Sequence, residues 1–349
     1  MKIAFVTSTL TSGGSERVMS LLANELANRG HEVFIVLLRA PIVFYDIQES
    51  VKIYYAENHS HNMLKKLIWF RGLIKTEHPD VVIPFMTQVY CATILSLMGV
   101  NVPIISSERI DPRFSKFINK VYRWCLLRFT THLVVQTKAI KAYYPTSIQK
   151  RTTIIPNPIT DSIFENYPDV NKEKIIVSVG RLYAQKNQKM MIDAFADIAN
   201  KYPDYKLIIY GEGPIREQLT EYINAKELSG KVLLPGRSNN IAKELNRAEI
   251  FCLSSDYEGM SNALLEAVCV GLPVVTTNVS GVEDLLNNGK NGFVVDVGDT
   301  KSMSMALDQL LGDKDIRMKF SQYNKQMGQY YTIDRIATDW ENLIKHIVI

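Results

Sequence analysis

Residues 250–284 constrain the fold of this chain more than any other segment of its sequence. The apolar run at residues 250–253 has the length of a buried strand, and a short polar turn follows it. Ser261 is a favourable helix N-cap residue, and residues 263–270 form a strongly helical run. A second apolar run at residues 274–277 predicts the next strand. The order strand, loop, helix, strand is typical of an α/β sheet.

Two glutamates, Glu258 and Glu266, occupy different places in this unit. Glu258 lies in the predicted loop, facing the helix N-terminus, and Glu266 lies about one turn inside the helix. A helix N-terminus behind a glycine-containing loop favours anions, because its N–H groups are unpaired and the helix dipole is positive there. A carboxylate accepts hydrogen bonds from hydroxyls instead. The layout therefore suits a sugar diphosphate flanked by a ribose and a second sugar, whereas two isolated glutamates would be typical of a solvated surface.

The spacing and setting of these glutamates resemble a known motif. Glu258 and Glu266 are separated by seven residues within the pattern S-x-x-E-G-x-x-x-x-L-L-E-A. This pattern resembles the E-x7-E motif of the GT4 family of retaining glycosyltransferases. Residues 180–187, G-R-L-x-x-x-K-N, resemble a second element of the family, and residues 211–214 resemble its G-x-G-P turn. The resemblance covers nearly the whole chain and is most specific over residues 178–284.

The resemblance implies the GT-B fold, an α/β architecture of two Rossmann-like domains that face each other across a cleft. A chain of 349 residues is too long for one ordinary core and suits two such domains. A rigid Pro-Asn-Pro turn marks the expected boundary, because the strand–helix rhythm starts again after it. We predict an N-terminal acceptor-side domain at residues 1–158, completed by a C-terminal helix at residues 333–349. Residues 159–332 are predicted to form a C-terminal domain that binds the nucleotide sugar.

The resemblance also implies the chemistry, which is transfer of a sugar from a nucleotide sugar with retention of its anomeric configuration. Arg181 and Lys186 follow a predicted strand, at the edge where open α/β sheets bind ligands, and would neutralise the departing diphosphate. Glu266 would hold the ribose hydroxyls, and Glu258 would hold hydroxyls of the donor sugar. The other implied donor-binding residues are two adjacent glycines after the first strand and the segment after Glu258: Gly13, Gly14, Gly259, Met260, Ser261 and Asn262. The two glycines, Gly13 and Gly14, would approach either the donor phosphate or the acceptor.

Glu108 is the implied candidate for a catalytic base. It follows a predicted strand of the N-terminal half, where many relatives carry a histidine or an acid near the acceptor. The local pattern here is S-E-R-x-D-P, so Arg109 and Asp111 would serve the acceptor equally well. The choice among these three residues stays open at this point.

The sequence predicts no cofactor and no metal ion. Residues 313–315 have the D-x-D spacing of metal-dependent transferases, but no apolar run precedes them, which indicates a solvated loop. The six histidines have no ligand spacing. The four cysteines lie in apolar runs without a C-x-x-C pair and predict reduced, buried thiols.

Within the family, the chain resembles bacterial polysaccharide, O-antigen and N-glycan-precursor (Pgl-type) transferases. That resemblance implies a nucleotide sugar as donor and a polyprenyl-diphosphate-linked glycan as acceptor. A UDP-hexose or UDP-N-acetylhexosamine is the preferred donor, and GDP-mannose stays open. The implied place of action is the cytoplasm, at the cytoplasmic face of the inner membrane.

Basic residues of the N-terminal half are concentrated next to aromatic ones. Residues 60–150 contain 13 Lys and Arg against 4 Asp and Glu. Within them, residues 62–76 and 113–129 interleave basic with aromatic side chains, which is typical of helices at the surface of anionic lipid. An ordinary domain helix with snorkelling basic residues has the same pattern. We predict peripheral membrane contact through both segments and, since no nucleic-acid motif accompanies them, no nucleic-acid partner.

Three other functions compete with this one. A nucleotide-sugar epimerase resembling UDP-GlcNAc 2-epimerase would share the architecture without an acceptor, but its motifs are absent. An NAD-dependent dehydrogenase would fit the Rossmann-like opening, yet the glycine fingerprint is incomplete and residues 38–41 supply no acidic residue for a ribose. A non-catalytic lipid-binding protein of the same fold would not need the two basic and two acidic candidates together: Arg181, Lys186, Glu258 and Glu266.

Overall fold

The structure, a computed structural model, divides the chain into two compact units. It describes residues 1–115, 117–165, 167 and 171–348. Unit 1 comprises Met1–Pro158 together with Thr332–Ile349, and unit 2 comprises Ile159–Tyr331. Both units are built on parallel strands with helices between them.

Unit 1 is organised around short, mostly apolar strands. Strands β1 to β7 are Lys2–Thr7, Glu32–Leu37, Lys52–Tyr55, Val81–Pro84, Ile105–Ser107, His132–Val135 and Thr152–Ile154. The order β3-β2-β1-β4 forms one sheet and β5-β6-β7 another, and parallel bridges such as Val82 to Ile104 link them. Successive strand residues, for example Ile3 and Ala4, belong to two different apolar clusters, so both sheet faces are buried.

Helices connect these strands. Helices α1 to α6 are Gly14–Asn28, Met63–Glu77, Thr87–Leu97, Phe117–Leu126, Lys138–Tyr143 and Thr146–Gln149. The basic, aromatic segment at residues 113–129 contains helix α4, and 3₁₀ turns at Pro112–Phe114 and Leu127–Phe129 flank it. Lys116 of that segment lies outside the described residues.

Unit 2 repeats the same plan with one sheet. Strands β8 to β13 are Ile175–Val179, Lys206–Tyr210, Val232–Gly236, Ile250–Leu253, Val274–Thr277 and Gly292–Val295. Helices α7 to α13 are Gln188–Ala196, Arg216–Ala225, Ile241–Arg247, Asn262–Cys269, Val282–Leu285, Thr300–Gly312 and Lys314–Gly328. The strand order is β10-β9-β8-β11-β12-β13, and all the pairs are parallel.

The last helix, α14 (Ile333–Val348), belongs to unit 1 and packs beside α1. Its Trp340 is fully buried and stacks on Phe85, with ring centres 6.2 Å apart. Arg29 at the end of α1 forms ion pairs with Asp334 and Glu341 of α14. Apolar packing and charge pairing together therefore fix this helix on unit 1.

The strand order reverses beside the first strand of each unit. In unit 2, β8 lies between β9 and β11, and in unit 1, β1 lies between β2 and β4. Loops that leave the two sides of such a reversal diverge, and open parallel sheets bind ligands in the crevice outside the carboxyl ends of those strands. The fold thus provides a ligand position in unit 2 at the loops that follow β8 and β11.

The D-x-D segment is the start of a helix and not a loop, whereas its predicted solvation is confirmed at Lys314 and Asp315, which are exposed. Asp313 is the N-cap residue of α13. Its Oδ1 accepts hydrogen bonds of 2.9 Å from the backbone N–H groups of Asp315 and Ile316. This spacing serves helix capping.

Candidate active site

Two loops of unit 2 form the candidate site. The β8 loop (residues 180–187) leaves the carboxyl end of β8, and the β11 loop (residues 254–261) leaves the carboxyl end of the neighbouring β11. Lys186 lies in the first loop and Glu258 in the second, 72 residues later in the chain. The parallel pairing of β8 with β11 brings these two side chains together at one edge of the sheet.

Lys186 and Glu258 form an ion pair that is largely shielded from water. Lys186 Nζ donates to Oε1 of Glu258, which also accepts a 2.7 Å hydrogen bond from the Ser255 hydroxyl. The two side chains are only 16% and 10% exposed. Shielding matters because a pair in low dielectric interacts more strongly than one on the open surface. The sheet edge thus holds one cation suited to a diphosphate next to one carboxylate suited to hydroxyls.

Arg181, the other predicted basic residue, is exposed and is not joined to this pair. Its guanidinium carbon lies 5.0 Å from the centre of the Tyr183 ring in the same loop. Among the described residues it has no ion-pair partner. Its five N–H donors therefore remain available to a ligand at the mouth of the β8 loop.

Helix α10 begins directly behind the pair. The Ser261 hydroxyl caps it by accepting a hydrogen bond from the backbone N–H of Leu264 at 3.4 Å. The first turn contains no acidic residue, so the positive end of the helix stays favourable for an anion. Glu266 lies in the second turn and is only 3% exposed, and residues 259–260 connect Glu258 to the cap. The structure therefore places the predicted residues 258–262 and Glu266 on one continuous segment.

Gly211 shows why a glycine follows β9. A Cβ atom at this position would lie 1.9 Å from the carbonyl oxygen of Gly180, and the φ angle of Gly211 is +144°. Only glycine permits this close approach, which packs the loop after β9 against the start of the β8 loop. The G-x-G-P turn therefore shapes the loop that carries Arg181 and Lys186.

Gly13 and Gly14 lie in unit 1, where Gly13 is the N-cap and Gly14 the first residue of α1. The carbonyl of Gly13 accepts a 2.9 Å hydrogen bond from the Tyr45 hydroxyl. A Cβ atom at Gly13 would lie 2.2 Å from the Glu16 carboxylate, so this carboxylate already occupies the space beside the helix start. The predicted role of these two glycines at the donor phosphate or the acceptor stays a prediction.

Glu108 has no exposed surface, and four side chains bond its carboxylate. The hydroxyls of Thr87, Tyr90 and Tyr144 donate to it at 2.9 to 3.2 Å, and Arg123 Nε donates at 2.9 Å. Burial, together with the charge of Glu108, raises the pKa of both tyrosine hydroxyls, so they remain donors. An enclosed carboxylate with four donors is not placed to take a proton from an acceptor. The structure therefore gives Glu108 a different role, which is to hold Arg123 of α4 against the interior of unit 1.

Arg109 and Asp111 also have structural partners within unit 1. Arg109 donates hydrogen bonds of 2.8 Å to the Ser107 hydroxyl and to the side-chain oxygen of Asn157. Burial lowers the pKa of Arg109 to about 9. Asp111 is fully buried and pairs with Arg113 at 2.6 Å. Both residues thus stabilise the segment that follows β5.

Sequence reasoning missed two residues that shape these sites. Ser255, which donates a hydrogen bond to Glu258, could have been found from the sequence, because it is the serine of the S-x-x-E pattern, three residues before Glu258. Arg123, the buried partner of Glu108, had none, because a lone arginine in a basic, aromatic run has the pattern of a surface cation.

The described part of the chain was also searched for residues that could bind a metal ion. No group of three or more His, Cys, Asp or Glu residues there is arranged to hold a metal ion. The cysteine prediction is corrected at one position, since Cys125 is exposed and the other three are buried.

Comparison with known proteins decides the family. The model of Glycosyltransferase Family 4 matches residues 12–162, and that of Glycosyl transferases group 1 matches residues 160–327. The chain is 30% identical, over 370 aligned residues and 99% of both chains, to a protein of Campylobacter jejuni. That protein is the GalNAc-alpha-(1->4)-GalNAc-alpha-(1->3)-diNAcBac-PP-undecaprenol alpha-1,4-N-acetyl-D-galactosaminyltransferase. The chain belongs to glycosyltransferase family 4. The GT4 resemblance of its motifs is thereby confirmed, and the dehydrogenase, epimerase and non-catalytic alternatives are set aside.

Other relatives of this GT4 enzyme agree in family and fold. The Escherichia coli UDP-Gal:alpha-D-GlcNAc-diphosphoundecaprenol alpha-1,3-galactosyltransferase is 26% identical and covers 96% of this chain and 95% of its own. Among solved structures, Anabaena HepE in complex with UDP superposes with a TM-score of 0.84 at 18% identity, covering 99% of this chain and all of HepE. Sucrose-phosphate synthase from Thermosynechococcus elongatus gives 0.87 at 16% identity, covering 99% of each chain. This GT4 enzyme therefore has the GT-B fold with two Rossmann-like units, as predicted.

Proposed function

We propose that this glycosyltransferase transfers a hexose or N-acetylhexosamine from a UDP-sugar to a polyprenyl-diphosphate-linked glycan, with retention of the anomeric configuration. The observation that carries the proposal is the shielded pair of Lys186 and Glu258 in front of α10. A nucleotide sugar needs positive charge for its diphosphate and hydrogen-bond acceptors for its sugar hydroxyls. At this edge of the sheet, Lys186 supplies the positive charge and Glu258 supplies the hydrogen-bond acceptor.

Each candidate residue has a role in the proposal. Lys186 and Arg181 neutralise the diphosphate as its charge develops, and the first N–H groups of α10 add to that stabilisation. Glu258 accepts hydrogen bonds from the donor sugar, and Glu266 accepts them from the ribose. Donor binding then breaks the ion pair seen here, because the diphosphate becomes the new partner of Lys186 and frees Glu258 for the sugar.

Retention constrains how the bonds exchange. The bond between the sugar C1 and the diphosphate oxygen breaks, and the acceptor oxygen bonds to C1 on the face that the diphosphate leaves. The acceptor's proton passes to an oxygen of the departing diphosphate, which lies on that same face. Because Glu108 is enclosed by its own partners, the proposal assigns no side chain of unit 1 as base.

The uridine base of the donor rests on two similarities. The printed name of the Escherichia coli relative contains UDP-Gal, and HepE was solved in complex with UDP. We expect UDP and one UDP-sugar to raise the melting temperature in EDTA, since a ligand that binds only the native state stabilises it by about 2.7 kcal/mol at about 100 Kd. A thermal-shift screen of UDP, GDP, ADP and TDP with their sugars makes this test. A shift with GDP alone would replace the donor by GDP-mannose, and a shift that requires added metal would contradict metal independence.

The proposed acceptor follows from the names of two relatives and the surface of unit 1. Both the Campylobacter and the Escherichia coli relative are named for undecaprenyl-diphosphate-linked substrates. An enzyme that uses such a lipid works at a membrane surface, and we propose the cytoplasmic face of the inner membrane. The described part of the chain contains no helix that is both long and apolar enough to cross a membrane.

Helix α4 supplies the surface proposed for this contact. Phe117 and Trp124 are 80% and 74% exposed, and Ile118, Val121 and Tyr122 are exposed beside them. Residues 112–131 contain no acidic residue. Exposed aromatic side chains without nearby carboxylates on their own segment suit the headgroup region of anionic lipid.

Helix α2 contributes less charge to this surface than its sequence predicts. Lys66 is buried and pairs with Glu57. Arg71 donates hydrogen bonds of 2.7 and 2.8 Å to the carbonyls of Ser96 and Met98 at the end of α3. Two of the expected lipid-facing cations of residues 62–76 therefore serve the fold, as Arg123 of α4 also does. The exposed aromatic side chains of α4 make it the stronger candidate.

We expect the double substitution Phe117→Ala and Trp124→Ala to reduce binding to vesicles that contain anionic lipid by about a hundredfold or more. Each aromatic ring loses a burial free energy of about 1.5–3 kcal/mol in the interface. Co-sedimentation measures the effect, and Met305→Ala, an exposed apolar position of unit 2, is the matched control. Unchanged binding of the double variant would remove α4 from the membrane proposal.

A further inference from the structure

A set of hydrogen bonds joins the two loops of the candidate site. None of these bonds involves the side chain of Lys186 or of Glu258. We call this set the loop clamp. Three of its bonds are accepted by backbone carbonyls: Ser254 Oγ donates to Lys186 (2.9 Å), Asp256 N donates to Gln185 (2.9 Å) and Gln185 Nε2 donates to Tyr257 (2.7 Å). The fourth joins two side chains, since Asn187 Nδ2 donates to Asp256 Oδ1 (2.8 Å). In the β8 loop, the clamp residues Gln185 and Asn187 are the immediate neighbours of Lys186. In the β11 loop, the clamp residues lie within four residues of Glu258.

Asn187 is the most constrained member of the clamp. Its backbone is left-handed, with φ +43° and ψ +46°, a conformation in which asparagine is tolerated better than most residues. It ends the 3₁₀ turn that carries Lys186 and precedes the first residue of α7. Its side chain does not cap α7 and bonds Asp256 of the other loop instead. The direction in which Lys186 leaves the backbone is therefore tied to the β11 loop.

We propose that Asn187 and Asp256 are positioning residues that set the distance between Lys186 and Glu258 for transfer. This inference rests on the proposed function, because it takes Lys186 as the residue that neutralises the diphosphate. Neither Asn187 nor Asp256 needs to contact the donor. The clamp acts by holding two loops of different strands at one spacing, so that cation and carboxylate reach the diphosphate and the sugar at the same time.

The expected kinetic signature follows from the length of the lysine side chain. Without the clamp, Lys186 still reaches a bound diphosphate, so donor affinity changes little. The transition state needs both groups in place, and a displacement of about 1 Å lowers rates by about 10²-fold. Loss of the clamp should therefore lower kcat by about 10- to 100-fold and leave KM for the donor within about threefold.

The test uses the full chain with Asn187→Gly, Asp256→Ala and the double variant. Glycine accepts the left-handed backbone, so Asn187→Gly removes the amide without adding strain. Transfer of the sugar to an undecaprenyl-diphosphate-linked acceptor is measured at varied donor concentration. We expect both single variants to lose kcat and the double variant to be no slower than the slower single, because both remove the same bond. Asn240→Gly, which removes an asparagine cap of α9 in the same unit, is the matched control with wild-type kcat expected.

Several outcomes overturn the inference. Wild-type kcat in Asn187→Gly, a raised KM at unchanged kcat, or multiplied losses in the double variant would each contradict positioning through this bond. If circular dichroism shows Asn187→Gly to be unfolded, Asp256→Ala removes the same bond from the other loop and decides in its place. The variant Lys186→Ala distinguishes failure of the proposed function from failure of the clamp proposal. Wild-type transfer in Lys186→Ala overturns the proposed function. An inactive Lys186→Ala together with a fully active Asn187→Gly overturns only the role of the clamp.

Discussion

Replacing Lys186 by alanine is expected to lower transfer by on the order of 10²–10³-fold while the chain stays folded. The side chain supplies the positive charge nearest to Glu258, and it is the carboxylate's charged partner in the structure. Its removal takes away stabilisation of the departing diphosphate. It also leaves Glu258 largely buried with the Ser255 hydroxyl but no cation, so that a bound diphosphate would face an uncompensated negative charge.

Three measurements on one variant make this prediction specific. Transfer rate reports the chemistry, calorimetric titration with UDP reports binding, and circular dichroism with a thermal melt reports the fold. Lys189→Ala is the matched control, because Lys189 lies three residues further along, is exposed and contacts the Tyr222 ring outside the site. Wild-type turnover in Lys186→Ala would remove this residue from the mechanism, and a fall of similar size in Lys189→Ala would show that the loss is not specific to the site.

Replacing Glu108 by alanine is expected to lower the free energy of unfolding of unit 1 by about 3–5 kcal/mol. The substitution leaves Arg123 as an unpaired charge in the interior, where its guanidinium is only 2% exposed. It also removes the acceptor for the hydroxyls of Tyr90 and Tyr144. Burying polar groups without partners is among the most costly changes that a single substitution makes.

Tryptophan fluorescence during urea unfolding isolates this effect, because all three tryptophans, Trp69, Trp124 and Trp340, belong to unit 1. The double variant Glu108→Leu with Arg123→Met removes both charges and should be destabilised less than the sum of the two single variants. A loss below about 1 kcal/mol in Glu108→Ala, the size expected of a surface pair, would contradict the buried network. So would additive losses in the double variant.

Local patterns in the sequence predicted the elements around the site because their causes are local. The apolar runs at residues 250–253 and 274–277 became β11 and β12 with those bounds, and Ser261 caps α10. These predictions are confirmed since strand burial and helix capping depend on a few neighbouring residues. The family motifs likewise contain Lys186 and Glu258, which the structure brings together at the carboxyl edge of unit 2.

Contacts between residues that are distant in the chain could not be predicted from local sequence patterns. The contact of Lys186 with Glu258 depends on β8 and β11 being neighbours, which follows from the strand order and not from the spacing of either motif. Arg123 and Lys66 sit in basic, aromatic runs, and their burial depends on acceptors 15 and 9 residues away in the chain. A sequence pattern records that a cation is present, whereas only the packed unit shows whether it faces water or a carboxylate.

The anomeric configuration of the first product is the decisive test of retaining transfer at the Lys186–Glu258 site. The enzyme is given the α-linked UDP-sugar that produces the largest thermal shift and an undecaprenyl-diphosphate-linked acceptor. The new linkage is then read by proton NMR from the coupling of its anomeric hydrogen. We expect an α-linked product formed together with UDP, at a rate that falls sharply in Lys186→Ala. A β-linked product, or transfer that is indifferent to Lys186, would contradict retaining transfer at this site.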